Sequence, residues 1–193
     1  MIAEMKLRPD LRRPTFVREL LETLILIGLV YTLVNLATVR FYIEGPSMQP
    51  NFYAGQFLIV SRINYLLGEP QRGEIVVFDA PGDDNTPDNP LLIKRLIGLP
   101  GEHVEFRDGT VLINGTALVE PYTMQEACTS NCTNRTWDLG ANEYFFMGDH
   151  RNDSRDSRVF GPVTKDRIIG EAIVRYWPPP DWGLVTHYRF PEP

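Results

Sequence analysis

Apolar positions along this chain fall into two regimes. Residues 20–39 form one long apolar run, Leu-Leu-Glu-Thr-Leu-Ile-Leu-Ile-Gly-Leu-Val-Tyr-Thr-Leu-Val-Asn-Leu-Ala-Thr-Val, with Glu22 near its start and Asn35 as the other strongly polar position. A helix of about 20 residues spans about 30 Å, the thickness of a hydrocarbon core. The stretch 24–30 is apolar all round, whereas a helix packed on a soluble core keeps a polar face. A cleaved signal sequence would need a shorter apolar core ended by small residues, and Asn35, Ala37 and Thr38 fit that poorly. The run therefore predicts a single transmembrane helix. Lys6, Arg8, Arg12, Arg13 and Arg18 precede it and Arg40 follows. The positive-inside tendency then leaves residues 1–19 in the cytosol and sends the chain from residue 41 onward to the far side of a cell membrane, or of a thylakoid or other energy-transducing membrane.

Beyond residue 40 the apolar runs are short and rich in β-branched and aromatic residues: 57–60, 75–78, 91–93, 111–113, 144–146 and 172–174. Val104-Glu105-Phe106 and Val111-Leu112-Ile113 flank Asp108-Gly109, and Asn114-Gly115 follows at once, so two tight turns in succession are expected. Fifteen Gly and sixteen Pro favour many short strands over a helical bundle. The pattern predicts a mostly β domain over 41–193, built from several small antiparallel sheets. Residues 82–90 and 123–139 read as polar loops, and the proline-rich C-terminus as extended or irregular.

A formal charge of −6, without a Lys/Arg stripe, argues against nucleic acid as a partner. The histidines His103, His150 and His187 lack a helical i, i+4 pair, and no C-x-x-C occurs, which leaves little support for a metal site. Cys128 and Cys132 allow either a small disulfide loop, if that segment meets an oxidising compartment, or two free thiols. Asn114, Asn131 and Asn134 begin N-x-Thr sequons, which matter only in a eukaryotic secretory route.

Hydroxyls, carboxylates and the lysines Lys6, Lys94 and Lys165 remain as candidates for chemistry. Lys6 precedes the anchor, and Lys165 sits in a solvated charge run. Lys94 lies in Leu91-Leu92-Ile93-Lys94-Arg95-Leu96-Ile97, where strand alternation puts Leu92 and Leu96 on its face. Desolvation there would lower its pKa from about 10.4 and let the neutral amine accept a proton from a serine. Arg95 has equally apolar neighbours, so alternation leaves open which face is buried, but an arginine cannot serve as a base. A snorkelling lysine at a sheet edge is the competing reading of the strand. For the nucleophile, Gly45-Pro46-Ser47-Met48-Gln49-Pro50 presents one serine in a constrained turn, which could equally be an ordinary loop.

Four segments then carry a resemblance. Residues 46–50 (Pro-Ser-Met-Gln-Pro), 72–78 (Arg-Gly-Glu-Ile-Val-Val-Phe), 93–102 (Ile-Lys-Arg-Leu-Ile-Gly-Leu-Pro-Gly-Glu) and 148–158 (Gly-Asp-His-Arg-Asn-Asp-Ser-Arg-Asp-Ser-Arg) resemble, in order and spacing, the successive boxes of type I signal peptidases. The resemblance implies a serine endopeptidase that needs no cofactor and cuts signal-peptide-bearing precursors at Ala-x-Ala-like sites through an acyl-enzyme. It assigns Ser47 as nucleophile, with its backbone N–H in the oxyanion hole, and Lys94 as general base. Ser154 would hydrogen-bond and orient the lysine, while Asp149, Arg151, Asp156 and Arg158 would support the site.

This chain departs from the pattern in three places. Gly45 stands where some members carry a serine that adds to the oxyanion hole. Asn51 replaces a common Thr and is expected to make a local side-chain to backbone bond of little consequence. His150 replaces a common Asn. Ile43 could line the substrate pockets, and Phe52 and Tyr53 suit either a membrane interface or the core. The anchor makes a monomer sufficient. A soluble self-cleaving Ser-Lys repressor and a tethered β domain that only binds partners are the alternatives; the apolar helix opposes the first, and the intact Ser47 and Lys94 oppose the second.

Overall fold

The computed structural model describes residues 16–81 and 91–190, so the expectations placed on 1–15, 82–90 and 191–193 lie outside the described residues. The apolar run forms α1 (Phe16–Ala37), with a mean hydropathy of 2.0 over its most apolar window and none of that window buried. Its polar side chains turn back on the helix backbone. Thr23 Oγ donates to Glu19 O at 2.8 Å, Thr32 Oγ to Gly28 O at 2.8 Å and Asn35 Nδ2 to Tyr31 O at 2.9 Å. In an apolar solvent that internal satisfaction removes most of the cost of such groups. The helix starts earlier and stops earlier than residues 20–39. Thr38 and Val39, both β-branched, belong instead to a strand paired with Ser61 and Val60.

The second compact unit of the chain begins at Ala37. Its strands are β1 (Thr38–Tyr42), β2 (Phe57–Ser61), β3 (Ile75–Asp79), β4 (Leu91–Gly98), β5 (His103–Arg107), β6 (Thr110–Ile113), β7 (Thr116–Ala117), β8 (Arg135–Asp138), β9 (Glu143–Met147), β10 (Val163–Thr164), β11 (Ile168–Trp177) and β12 (Gly183–Leu184). Short helices α2 (Ile63–Leu67) and α3 (Ser157–Phe160) interrupt them. Every expected apolar run lies in a strand. Among the described residues all pairings are antiparallel, and the strands collect in two sheets. An eight-stranded sheet runs β1-β2-β11-β3-β4-β9-β10 with β12 on β11, and a four-stranded one runs β7-β6-β5-β8.

The two tight turns form where they were expected. Asp108 and Gly109 (φ +50° and +84°) join β5 to β6, and Asn114 and Gly115 (φ +50° and +82°) join β6 to β7. Positive φ at both central residues is what a two-residue hairpin turn requires. The polar stretch 123–139 is not all loop, since β8 pairs with β5. Cys128 and Cys132 are joined as a disulfide. The C-terminal segment 185–190 is irregular, as expected, and it packs on the domain, with Tyr188 and Phe190 beside the buried Tyr122.

β4 is the strand that matters most. It lies between β3 and β9, and it is buried continuously from Ile93 to Gly98. Both of its faces are therefore covered, which is why alternation alone could not choose between Lys94 and Arg95: they are 3% and 2% exposed. At the β11–β2 seam, a Cβ on Gly170 would lie 2.2 Å from the Ser61 carbonyl oxygen. Gly170→Ala is expected to cost about 1–3 kcal/mol, read as a lower urea midpoint with an unchanged m-value.

Candidate active site

Ser47 sits in the connection between β1 and β2. The neck of this connection is closed by main-chain bonds from Ile43 N to Gln56 O (3.0 Å) and from Gly55 N to Ile43 O (2.9 Å). Within it, Gln49 N donates to Pro46 O at 2.9 Å, and Phe52 N donates to Met48 O at 2.9 Å, winding residues 46–52 into a compact turn. Met48 and Phe52 are buried in the core with Ile43 and Ile93. These apolar plugs hold the turn down and leave Ser47 half-buried at its surface. Phe52 is thus a core residue, whereas Tyr53 stays exposed.

The fold brings Lys94 to this serine. Its Nζ donates to Ser47 Oγ at 2.7 Å and to the Ile93 carbonyl at 2.8 Å. Val76 lies opposite Lys94 on β3, and Leu96, with the partly buried Leu92, shares its face. Burial in these apolar surroundings lowers the Lys94 pKa to about 8, against the opposing pull of the Asp156 and Asp149 carboxylates. Roughly a tenth of the amines are therefore neutral at pH 7, and the contact that donates to Ser47 Oγ can then accept its proton.

Residues 148–158 close over the same place from β9. His150 N donates to Ser47 O at 3.0 Å, so this loop bonds directly to the main chain of Ser47. Its neck is closed by Gly148 N to Asp156 Oδ2 (3.0 Å) and Phe146 N to Ser157 Oγ (3.0 Å). Burial alone would raise the Asp156 carboxyl, but the Arg158 guanidinium, with both bonds at 2.9 Å, holds it below the usual carboxylate range. Gly148 has no room for a side chain. A Cβ there would lie 2.3 Å from Ser154 Oγ and 2.5 Å from Ser47 O.

The remaining expected residues fall into place with two corrections. Asp149 does not face the lysine directly but takes a two-pronged bond from Arg95, Nε to Oδ1 at 2.8 Å and Nη2 to Oδ2 at 2.7 Å. Arg95 also donates to Gly73 O and lies over the Tyr122 ring at 3.9 Å. Arg151 grips Glu120 with both terminal nitrogens, at 2.7 and 2.6 Å, and donates to Gly148 O. The first correction concerns Ser154, which is buried beside the site but makes no hydrogen bond to Lys94, whose described bonds go to Ser47 and Ile93. The Ser154 hydroxyl has no partner in strict hydrogen-bond geometry among the described residues, although it lies near enough to Asp156 to favour that group's charged form. Ser154 packs closely against Gly148, which leaves no room for a side chain there.

The second correction concerns Asn51, whose side chain bonds far from its own turn. Its Nδ2 donates to Tyr122 O and to Asp149 Oδ2, each at 2.7 Å. Glu120 and Tyr122 are thus residues at the site that sequence reasoning passed over, and Arg95, weighed there only as a rival to Lys94 for the buried face, joins them. The only available signal was the charge of Arg95 inside an apolar strand.

A cleft of about 460 Å³ opens beside Ser47 and Lys94, lined by Phe41 and Tyr42 from the end of β1, by Ile43, Gly45 and Ser47 after it, and by residues 91–94 of β4. The Ser47 N–H donates to no acceptor among the described residues.

A family model described as signal peptidase, peptidase S26, matches residues 17–177. A probable signal peptidase I-2 from Synechocystis sp. is 40% identical over 148 residues, 75% of this chain and 66% of that protein, just under two thirds of its length. Signal peptidase I of Leptolyngbya laminosa is 40% identical over 143 residues, covering 71% of this chain and 68% of its own. Signal peptidase IB of Staphylococcus aureus is 31% identical over 180 residues, covering 83% and 91%. A crystal structure of a signal peptidase I from Enterococcus faecalis V583 is 35% identical, covers 54% of this chain and 97% of that one, and has a TM-score of 0.45.

The geometry makes one direct prediction. Titration of the Lys94 side-chain amine, followed by NMR of labelled lysine, is expected to give a midpoint of about 8, well below the value of about 10.4 for a lysine in water.

Proposed function

The chain belongs to the signal peptidases of family S26, a family of serine endopeptidases, and on that footing we propose that it removes signal peptides from exported precursors, with Ser47 as nucleophile and Lys94 as general base. The observation that carries the reading is the 2.7 Å contact between Ser47 Oγ and an almost fully buried lysine amine.

In this mechanism neutral Lys94 takes the Ser47 proton as Oγ attacks the scissile carbonyl. The carbonyl oxygen becomes an oxyanion facing the free Ser47 N–H. The tetrahedral intermediate collapses to an ester on Ser47, and the Lys94 ammonium returns its proton to the departing amine, the new N-terminus of the mature protein. Lys94 then activates a water that hydrolyses the ester and releases the signal peptide. The Ile93 carbonyl keeps the amine in place through both half-reactions, accepting one of its protons in either state.

The substrate enters the cleft as an extended segment between the end of β1 and the start of β4. Ile43 and its neighbours offer a shallow apolar wall, which supports selection of small side chains by exclusion of larger ones and hence Ala-x-Ala-like sites. The helix α1 anchors the enzyme in the cell membrane, with the basic N-terminal segment on the cytosolic side and the β domain outside. The Cys128–Cys132 disulfide supports that placement, since such bonds persist in oxidising compartments.

With a precursor carrying an Ala-x-Ala site, wild-type protein is expected to cleave, and Ser47→Ala, Lys94→Ala and Lys94→Arg are not. Because only the neutral amine is a base, kcat/KM should be lost as pH falls. It should change about ten-fold per pH unit below an apparent pKa of about 8, with a plateau above it. Substantial activity in Lys94→Arg would sink the mechanism. Gly45 has no neighbour within 4 Å of a built Cβ, so Gly45→Ser fits. If its hydroxyl adds to the oxyanion site it should raise kcat by about ten-fold or more, given that one such donor is worth about 3 kcal/mol; single-turnover acylation rates would show it.

A further inference from the structure

Asn51 is the one side chain in the nucleophile turn that reaches out of it to the loop on the other side of the site. Its Nδ2 gives one proton to Asp149 Oδ2 and the other to Tyr122 O, both at 2.7 Å and both with residues far away in the chain. Asp149 is fully buried and already holds Arg95. Arg95 is the residue next to Lys94, and its guanidinium is sandwiched between Asp149 and the Tyr122 ring. The main chain of Asn51 is tied as well, its carbonyl accepting from Arg175 Nη1 at 3.2 Å. Asn51 thus sits where the nucleophile turn, the general-base strand and the 148–158 loop meet.

We propose that Asn51 is a positioning residue, which sets the separation of Ser47 from Lys94 by bonding the nucleophile turn to the Asp149–Arg95 pair and to Tyr122. The inference rests on the dyad reading above. Two features make the amide suited to this role. It supplies two donors at one nitrogen, and buried Asp149 Oδ2 and the Tyr122 carbonyl are both acceptors. Without it the turn would keep its local bonds, the Met48 and Phe52 plugs, the Arg175 bond, the His150 N–H on Ser47 O and the Lys94 contact itself. The Asn51 bonds are its side-chain tie to Tyr122 and to the Asp149–Arg95 pair.

The test compares wild type, Asn51→Leu and Asn51→Asp in the full-length protein, with steady-state and single-turnover cleavage of an Ala-x-Ala precursor. Asn51→Leu keeps the size and loses both donors. It is expected to lower kcat about ten-fold or more, as a small displacement of reacting groups does, with KM and melting temperature near those of wild type. Asn51→Asp has the same shape and adds a pH signature. Protonated, its carboxyl can still donate to Asp149; ionised, it faces the Asp149 carboxylate, with Arg95 and Arg151 acting on that carboxylate and Arg175 at the Asn51 main chain. Its kcat relative to wild type should therefore fall progressively as pH rises from about 5 to about 8.

A cavity effect alone would give a ratio that does not change with pH, and melting temperatures measured across the same pH range separate lost positioning from the pH-dependent stability of a carboxyl at this position. If Asn51→Leu misfolds, the Asn51→Asp ratio carries the test by itself. Wild-type activity together with full kcat in Asn51→Leu, or a constant Asn51→Asp ratio, overturns the inference alone. A wild-type protein that does not cleave overturns the proposed function, and this inference with it.

Discussion

The structure turns on the burial of one cation. Lys94 lies in the middle of an eight-stranded sheet, 3% exposed, where hydration no longer supports its charge. Everything around it can be understood as a compromise about that charge. Apolar neighbours favour the neutral amine, while Asp156 and Asp149 pull the other way, and the balance settles at about 8 rather than far lower. Had the carboxylates been absent, the lysine would be a weaker base in a more hostile cavity. Had they stood closer, it would remain protonated and idle.

That balance requires that the carboxylates themselves be spoken for. Asp156 is gripped by Arg158 and caps α3, and Asp149 is gripped by Arg95. Each anion therefore meets the lysine as half of an ion pair, and its influence is reduced accordingly. Arg95 is the economical part of this arrangement: it occupies the strand position beside Lys94, points to the opposite face and neutralises a carboxylate on behalf of its neighbour. Buried pairs of this kind contribute little net stability but hold geometry firmly, because loss of either partner strands a charge.

Much of this was legible in the sequence. The apolar runs marked the strands, and the Asp-Gly and Asn-Gly pairs marked the hairpins, because those signals are local. The ordered segments identified the family and brought Ser47 and Lys94 together. Three things were not legible. The start of β1 looked like membrane helix, because Thr38 and Val39 are apolar enough for either and only pairing with β2 decides. The simultaneous burial of Lys94 and Arg95 depends on segments remote in the chain, Ser47 against the lysine and Asp149 and Tyr122 against the arginine, which no window of alternation can see. Asn51 looked self-contained because a short amide beside a turn usually bonds locally, and its true acceptors come from chain segments more than 70 residues downstream.

That last distance has a consequence for folding. The dyad spans 47 residues of chain, and the tie from Asn51 to Asp149 spans 98. Closing contacts of such separation costs more chain entropy than closing the local hairpins. A partly folded chain can hold the first sheet strands and the Ser47 turn while lacking the 148–158 loop altogether. Such a chain has a serine and a lysine but no enclosed, dehydrated place for them to react. The enclosure of Lys94 is therefore complete only when the 148–158 loop is in place, its His150 N–H on the Ser47 carbonyl.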